Sequence, residues 1–262
     1  MKHQLAIGLS SAAFVCAPAF AEDPKPLSTD VEVGYIATSG NTETSSFKGR
    51  VEIKQELNRF RNAFKAEGLY KRDQIEVETD GVVEEEERTT AEKYFLSARS
   101  DLKLNDEYMG LFGFGSYEED KFSGFVYQST LAVGFSDRLL NFSAGHLDYS
   151  IGPGIGFNET EDSFDADDNL LPGESSSTPV LRLTADFLYN LSENSAFTQS
   201  FASDVGVQDG ENTKSKSETA LSANIIGSLA MKASYIVDHN THVLEGKKHA
   251  DTQTAVTLVY SF

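Results

Sequence analysis

The sequence predicts an all-β fold: a transmembrane, antiparallel, up-and-down β-barrel of about twelve strands. Three observations carry that prediction. Apolar and polar residues alternate with period two through most of the chain, the signature of strands with two unlike faces. Charge of both signs is confined to one of those faces. The connections between strands alternate between tight turns and long polar loops, as in barrels that cross an outer membrane.

The elements follow in chain order. Lys2 gives a positive start, Leu5 to Val15 is rich in apolar and small residues, and Ala19-Phe20-Ala21 is an A-x-A cleavage site. Residues 1–21 thus read as a secretory signal peptide, and 22–262 as the barrel domain. The only cysteine, Cys16, lies in the signal peptide, so the mature chain is expected to lack thiol chemistry. Net charge is −19, and losing Lys2 with the signal peptide leaves −20, which argues against nucleic-acid binding. Mean hydropathy is −0.33 and no mature segment is long enough for a transmembrane helix, but a barrel strand shows only half its residues to lipid.

Twelve strands are expected at roughly 29–38, 43–57, 62–73, 90–104, 107–117, 124–136, 147–157, 180–191, 196–206, 215–226, 229–238 and 250–262. The clearest is 43–57, where Phe47, Val51 and Ile53 oppose Lys48, Arg50, Glu52 and Lys54. Tight periplasmic turns are expected at Asn58–Arg61, Asn105-Asp106, Ser192–Asn194 and Gly227-Ser228, with a longer one at Asp137–His146. External connections are expected at 39–42, 74–89, 117–123, 158–179, 207–214 and 239–249. Twelve strands with an apolar lumen would enclose a void, since about eight already leave only enough room for side chains. Lipid on the apolar side is the arrangement that fits, because Lys or Arg at the midplane costs ~2–4 kcal/mol.

The last strand, Thr252 to Phe262, alternates strictly and ends on a free aromatic residue. It resembles the closing strand of outer-membrane barrels, in which a terminal Phe or Trp is read by the assembly machinery; Phe262 is the expected assembly signal. Three stretches together resemble one family, the YdiY-like salt-induced outer-membrane proteins: TSGNTET at 38–44, GPGIGF at 152–157, and the closing strand. That resemblance implies an outer-membrane barrel associated with salt or acid stress and supplies no substrate or site residues. The chain lacks tryptophan, so its 10 Tyr and 18 Phe would form the aromatic girdles.

The candidate pore lining is Lys48, Arg50, Glu52, Lys54, Lys65, Glu67, Arg99, Asp101, Arg182 and Asp186. Charged rings set ion selectivity, whereas opposite charges along one strand neutralise one another and plug a closed barrel; both alternatives stand at this point. Gly152, Gly154 and Gly156 are expected to face the lumen, and Pro153, unable to donate a ladder hydrogen bond, suggests a bulge. Ser39 to Thr42 reads as a tight turn. Glu84 to Glu87 and 159–174 are acidic external stretches that read as solvated loops or diffuse cation sites. His239, His242 and His249 crowd the last loop without a zinc spacing. A lipid hydrolase would need a serine beside a base such as His146 or His242, and no short motif of that kind is evident. The expected function is therefore a non-enzymatic envelope barrel, with no cofactor. Its expected partners are outer-membrane lipid, lipopolysaccharide and the barrel-assembly machinery. The sequence sets no oligomeric state.

Overall fold

The computed structural model describes residues 27–38, 44–79, 82–105, 108–121, 123–164, 170–208, 210–243 and 248–262. The expected signal peptide at 1–21 and the expected turn at 39–42 lie outside the described residues. Twelve strands close into one antiparallel barrel: β1 (Leu27–Thr38), β2 (Thr44–Glu56), β3 (Phe60–Thr79), β4 (Val82–Lys103), β5 (Gly110–Asp120), β6 (Phe125–Phe142), β7 (Gly145–Thr160), β10 (Ser175–Ser192), β11 (Ser195–Gly206), β12 (Lys214–Ile226), β13 (Leu229–Asn240) and β14 (Ala250–Ser261). Two short segments, β8 (Ser163–Phe164) and β9 (Leu170–Leu171), pair with each other within one connection. Neighbours in sequence are neighbours in the sheet, and β14 closes on β1.

The faces divide as the alternation requires. Outward residues such as Leu96, Leu131, Val133 and Leu258 are exposed, while their inward neighbours Lys48, Arg50, Thr130 and Thr257 are buried. An apolar outside and a polar, packed inside is the inverse of a water-soluble barrel and marks the outer-membrane type. Phe142, Phe187, Tyr189 and Phe197 cluster on the outer wall, with centroids about 6 Å apart.

Several expected boundaries move. Residues 74–79 and 82–89 are strand and not loop: β3 and β4 stay paired from Phe60↔Leu102 to Thr79↔Val82, so Glu84 to Glu87 lie on β4. A hairpin surrounded by water can carry polar residues on both faces, which erased the alternation used to find strands. The long turn at Asp137–His146 is also corrected: β6 runs to Phe142 and β7 starts at Gly145, leaving a two-residue turn and putting His146 on a strand. Pro153 creates no bulge. The β6–β7 register is unchanged on either side of it, between Ala132↔Gly154 and Phe135↔Ile151, and the shifts fall instead at Phe125/Tyr127 and Arg138/Leu140.

Gly134 and Gly152 explain the unbroken register there. A Cβ on Gly152 would strike the Val133 carbonyl and sit 2.5 Å from Gly134 Cα, and one on Gly134 would sit 2.7 Å from the Phe112 ring. The two backbones approach closely, and Phe112, 3% exposed, fills the interior against them. The glycines therefore make room for a packed ring, not for a wider conduit.

Candidate functional site: the charged lumen

The interior of the barrel is a lattice of ion pairs that crosses the lumen. On β2, Glu52, Arg50 and Lys48 rise in alternate positions, so all three project inward. Arg50 donates from Nη1 and Nη2 to the two Glu218 oxygens on β12, each at 2.8 Å, and from Nε to Glu67 on β3 at 3.0 Å. Glu32 on β1 lies 3.5 Å from Arg50 and accepts from Lys232 (3.2 Å) and from the Thr257 hydroxyl (2.8 Å). Lys232 also donates to Glu218 at 2.7 Å. Lys65 and Lys216 approach Glu67 at 3.3 and 3.6 Å. An arginine held in two parallel bonds by one carboxylate is a fixed, planar pairing.

Toward the end that holds the extended β3–β4 hairpin, Lys93 on β4 lies 3.1 Å from Asp238 on β13, 3.3 Å from Glu118 and 3.6 Å from Asp120. Lys214 on β12 donates to Glu118 on β5 at 2.6 Å. β4 and β13, like β12 and β5, stand five steps apart around a ring of twelve strands. These bonds therefore run almost straight across the barrel.

Toward the end that holds the β6–β7 turn, Arg99 binds both oxygens of Asp101 (2.7 and 2.8 Å), and Ser136 donates to Asp101 at 2.7 Å. Arg182 donates to Asp204 at 2.6 Å. Lys54 pairs with Glu52 at 3.1 Å while remaining half exposed. Asp186 lines two interior cavities of about 220 Å³ each, one shared with Arg99 and Asp101 and the other with Arg182 and Lys65.

The ten candidate residues face the interior, and much of what they touch has no signature in the sequence. Glu32, Glu118 and Asp204 went unselected because each is one carboxylate in a short or mixed stretch. The inward aromatics were missed altogether. Arg182 lies 3.6 Å over the Phe114 ring, Arg99 4.5 Å over Phe112, and Lys65 and Lys216 sit 5.6 and 5.5 Å from the Phe95 centroid. Phe95 and Lys216 come from strands on opposite sides of the ring. A desolvated cation over an aromatic face gains ~2 kcal/mol, which accounts for phenylalanine in a polar lumen.

His239 and His249 come together, with His239 on β13 and not in the expected last loop, and His146 lies on another strand. His146 contacts Asp148 at 3.6 Å near the β6–β7 turn, while His239 ends β13 and its ring stacks with that of His249 at 6.4 Å. His249 is hydrogen-bonded to the Asn240 carbonyl at 3.0 Å.

Residues 31–262 match the profile of a family described as "Protein of unknown function, DUF481". The chain belongs to that family. One DUF481-type relative is "Uncharacterized protein YdiY" of Escherichia coli (strain K12), 27% identical over 238 residues, 90% of this chain and 84% of that one. Among solved structures, the chain is similar to the NanC porin (12% identity, 89% and 97% of the two chains, TM-score 0.46). It is likewise similar to the translocator domain of autotransporter NalP from Neisseria meningitidis (12%, 89% and 86%, 0.48). A third is the COG4313 outer membrane channel from Pseudomonas putida F1 (8%, 90% and 94%, 0.45). The family thus takes a closed twelve-strand barrel of outer-membrane type in this chain, with the ion-pair lattice as its interior.

Proposed function

We propose that this DUF481 protein is a non-enzymatic outer-membrane barrel, exported through the periplasm behind residues 1–21, with a narrow pore held nearly shut by ion pairs across its lumen. One observation carries the reading: Lys93–Asp238 and Lys214–Glu118 join nearly opposite walls at 3.1 and 2.6 Å. A general porin keeps a water-filled channel. Here an ion must displace a paired group to pass, so conductance is small and intermittent. Charge on both walls makes passage selective.

The interior hydroxyls are engaged with one another and with the charged lattice. Ser136 donates to Asp101, Ser150 bonds Thr184, and Ser203 bonds Ser215; among these bonds no serine meets an imidazole. Partners follow from the compartment: outer-membrane lipid, lipopolysaccharide, and the assembly machinery that reads Phe262. A role under salt or acid stress follows from the family resemblance, and equal growth of a deletion strain at high salt and at low pH would remove it.

Planar-bilayer recording tests the pore. The wild type is expected to give small, infrequent steps, and Lys93→Gln with Lys214→Gln larger and longer ones with altered selectivity. Silence in both proteins at every voltage would overturn the pore. It would leave the second reading, a closed structural barrel, which the lattice also favours because most of its charges are paired.

A further inference from the structure

The seam that closes the barrel is shorter than the seams beside it. β1 pairs with β2 from Leu27↔Gln55 to Thr38↔Thr44, and β13 with β14 from Leu229↔Tyr260 to His239↔Ala250. β1 and β14 pair only from Asp30↔Ser261 to Val33↔Leu258. Above Val33 these two strands form no further ladder pair among the described residues. Phe262 exchanges backbone bonds with Thr29, at 2.8 and 3.0 Å. In the alternation this sets, Val256, Thr254 and Thr252 turn their backbone groups toward β1. Unpaired backbone at a membrane wall occurs where it borders a cavity.

A cavity of about 440 Å³ lies at that place, bordered by Thr252, Thr254 and Val256 and also by the inward-facing Ala255 and Leu69. Its lining runs consecutively from Thr252 to Val256, so it borders the β14 backbone beside the short seam. Its level is marked by Tyr235, which pairs with Thr254 and, like Tyr35 and Phe47, is exposed on the outside. Tyrosines at such a position mark the interface with the lipid headgroups.

Lys48 lines this cavity, is 4% exposed, and its Nζ has no hydrogen-bond partner. The two other lysines there are engaged: Lys71 with Asp73 at 2.7 Å, and Lys93 with three carboxylates. An unpartnered buried ammonium is costly, and an arriving anion offsets that cost. One free cation suits one negative charge, and Asp120, Asp238 and Asp251 on the same cavity disfavour a dianion. Leu69 and Ala255 offer an apolar wall for the rest of such a molecule.

We propose that the gap between β1 and β14 is a lateral portal through which a single-chain amphiphile with a carboxylate headgroup enters from the outer leaflet, its carboxylate settling on Lys48. The proposal rests on the barrel lying in lipid and not on its conducting ions.

The test uses the full mature barrel in lipid nanodiscs and a sixteen-carbon fatty acid bearing a fluorophore at its methyl end. The wild type should bind the acid saturably and its methyl ester at least tenfold more weakly. Lys48→Met should lose at least tenfold for the acid and little for the ester. A disulfide between Tyr35→Cys and Val256→Cys, the only cysteines of that mature chain, should abolish binding, and its reduction should restore it. Equal binding of acid and ester by the wild type, or undiminished binding by the oxidised double-cysteine protein, would overturn the portal. The wild-type acid-against-ester comparison needs no variant to fold. Recording conductance from the same preparations separates the two readings: silent barrels that bind the acid refute the pore alone, and conducting barrels that do not bind it refute the portal alone.

Discussion

Arg50 and Glu218 stand on strands four steps apart around the barrel and are joined by two parallel hydrogen bonds of 2.8 Å through its interior. Arg50 is 7% exposed, and Glu67 and Glu32 complete its surroundings. The pair braces the wall and occupies the interior at once.

Breaking one side of this pair leaves a buried charge short of its partner, which costs ~3–5 kcal/mol in comparable sites. Glu218→Gln, which also deprives Lys232, should lower the denaturant midpoint of the refolded barrel. Arg50→Gln with Glu218→Gln should lose less than the two single losses added together, by ~0.5–3 kcal/mol. Strict additivity in a double-mutant cycle would show that the bond contributes nothing to the fold.

The close approach of β6 and β7 makes a steric prediction. Gly152→Ala puts a methyl into the Val133 carbonyl and beside Gly134 Cα. Backbone cannot yield as a side-chain end can, so the substitution should destabilise by ~1–3 kcal/mol or more. Gly113, where a Cβ meets nothing within 4 Å, is the control: Gly113→Ala should leave thermal unfolding, read by the gel mobility shift of the barrel, unchanged.

The lipid face is tested by charge. Leu131 points outward at 58% exposure, and Leu131→Arg should cost ~2–4 kcal/mol if it sits near the bilayer midplane. The neighbouring Thr130 faces the interior, where its hydroxyl donates to Asp204 at 2.9 Å. Folding yields into vesicles should fall for Leu131→Arg and not for Thr130→Ser; the reverse order would invert the assignment of faces.

Phe262 separates folding from delivery. Its backbone closes the barrel against Thr29, and its ring lies 5.9 Å from Tyr260 on the rim. Phe262→Ala keeps the backbone bonds, so refolding from urea into detergent should proceed as in the wild type. The amount reaching the outer membrane in cells should drop several-fold if the ring is the assembly signal. Equal amounts would remove that role.

The limits of the sequence are clear in particular residues. Period two assigned Lys48, Arg50 and Arg182 to the interior because a strand fixes side-chain direction locally and lipid forbids charge on the other face. Where both faces of a strand are exposed, as at Glu86, Glu87 and Arg88, that constraint vanishes and so did the strand signal. Phe95 shares the parity of Lys93 and Arg99, and Phe112 and Phe114 that of Glu118, but the sequence holds no reason for an inward ring; only the cations brought over these rings by other strands explain them.

By itself, then, the sequence determined an all-β barrel of about twelve strands, the inward side of the charges on its clearest strands and the family to which the chain belongs. These depend on local alternation and on the solvent at each face. The tertiary structure alone decided which charges meet. Arg50 and Glu218 lie 168 positions apart in sequence, and whether they pair or hold open a channel depends on how the strands are staggered around the closed ring. The same closure leaves Lys48 without a partner and the seam between β1 and β14 short. A single strand specifies direction, but only the closed ring specifies what stands opposite.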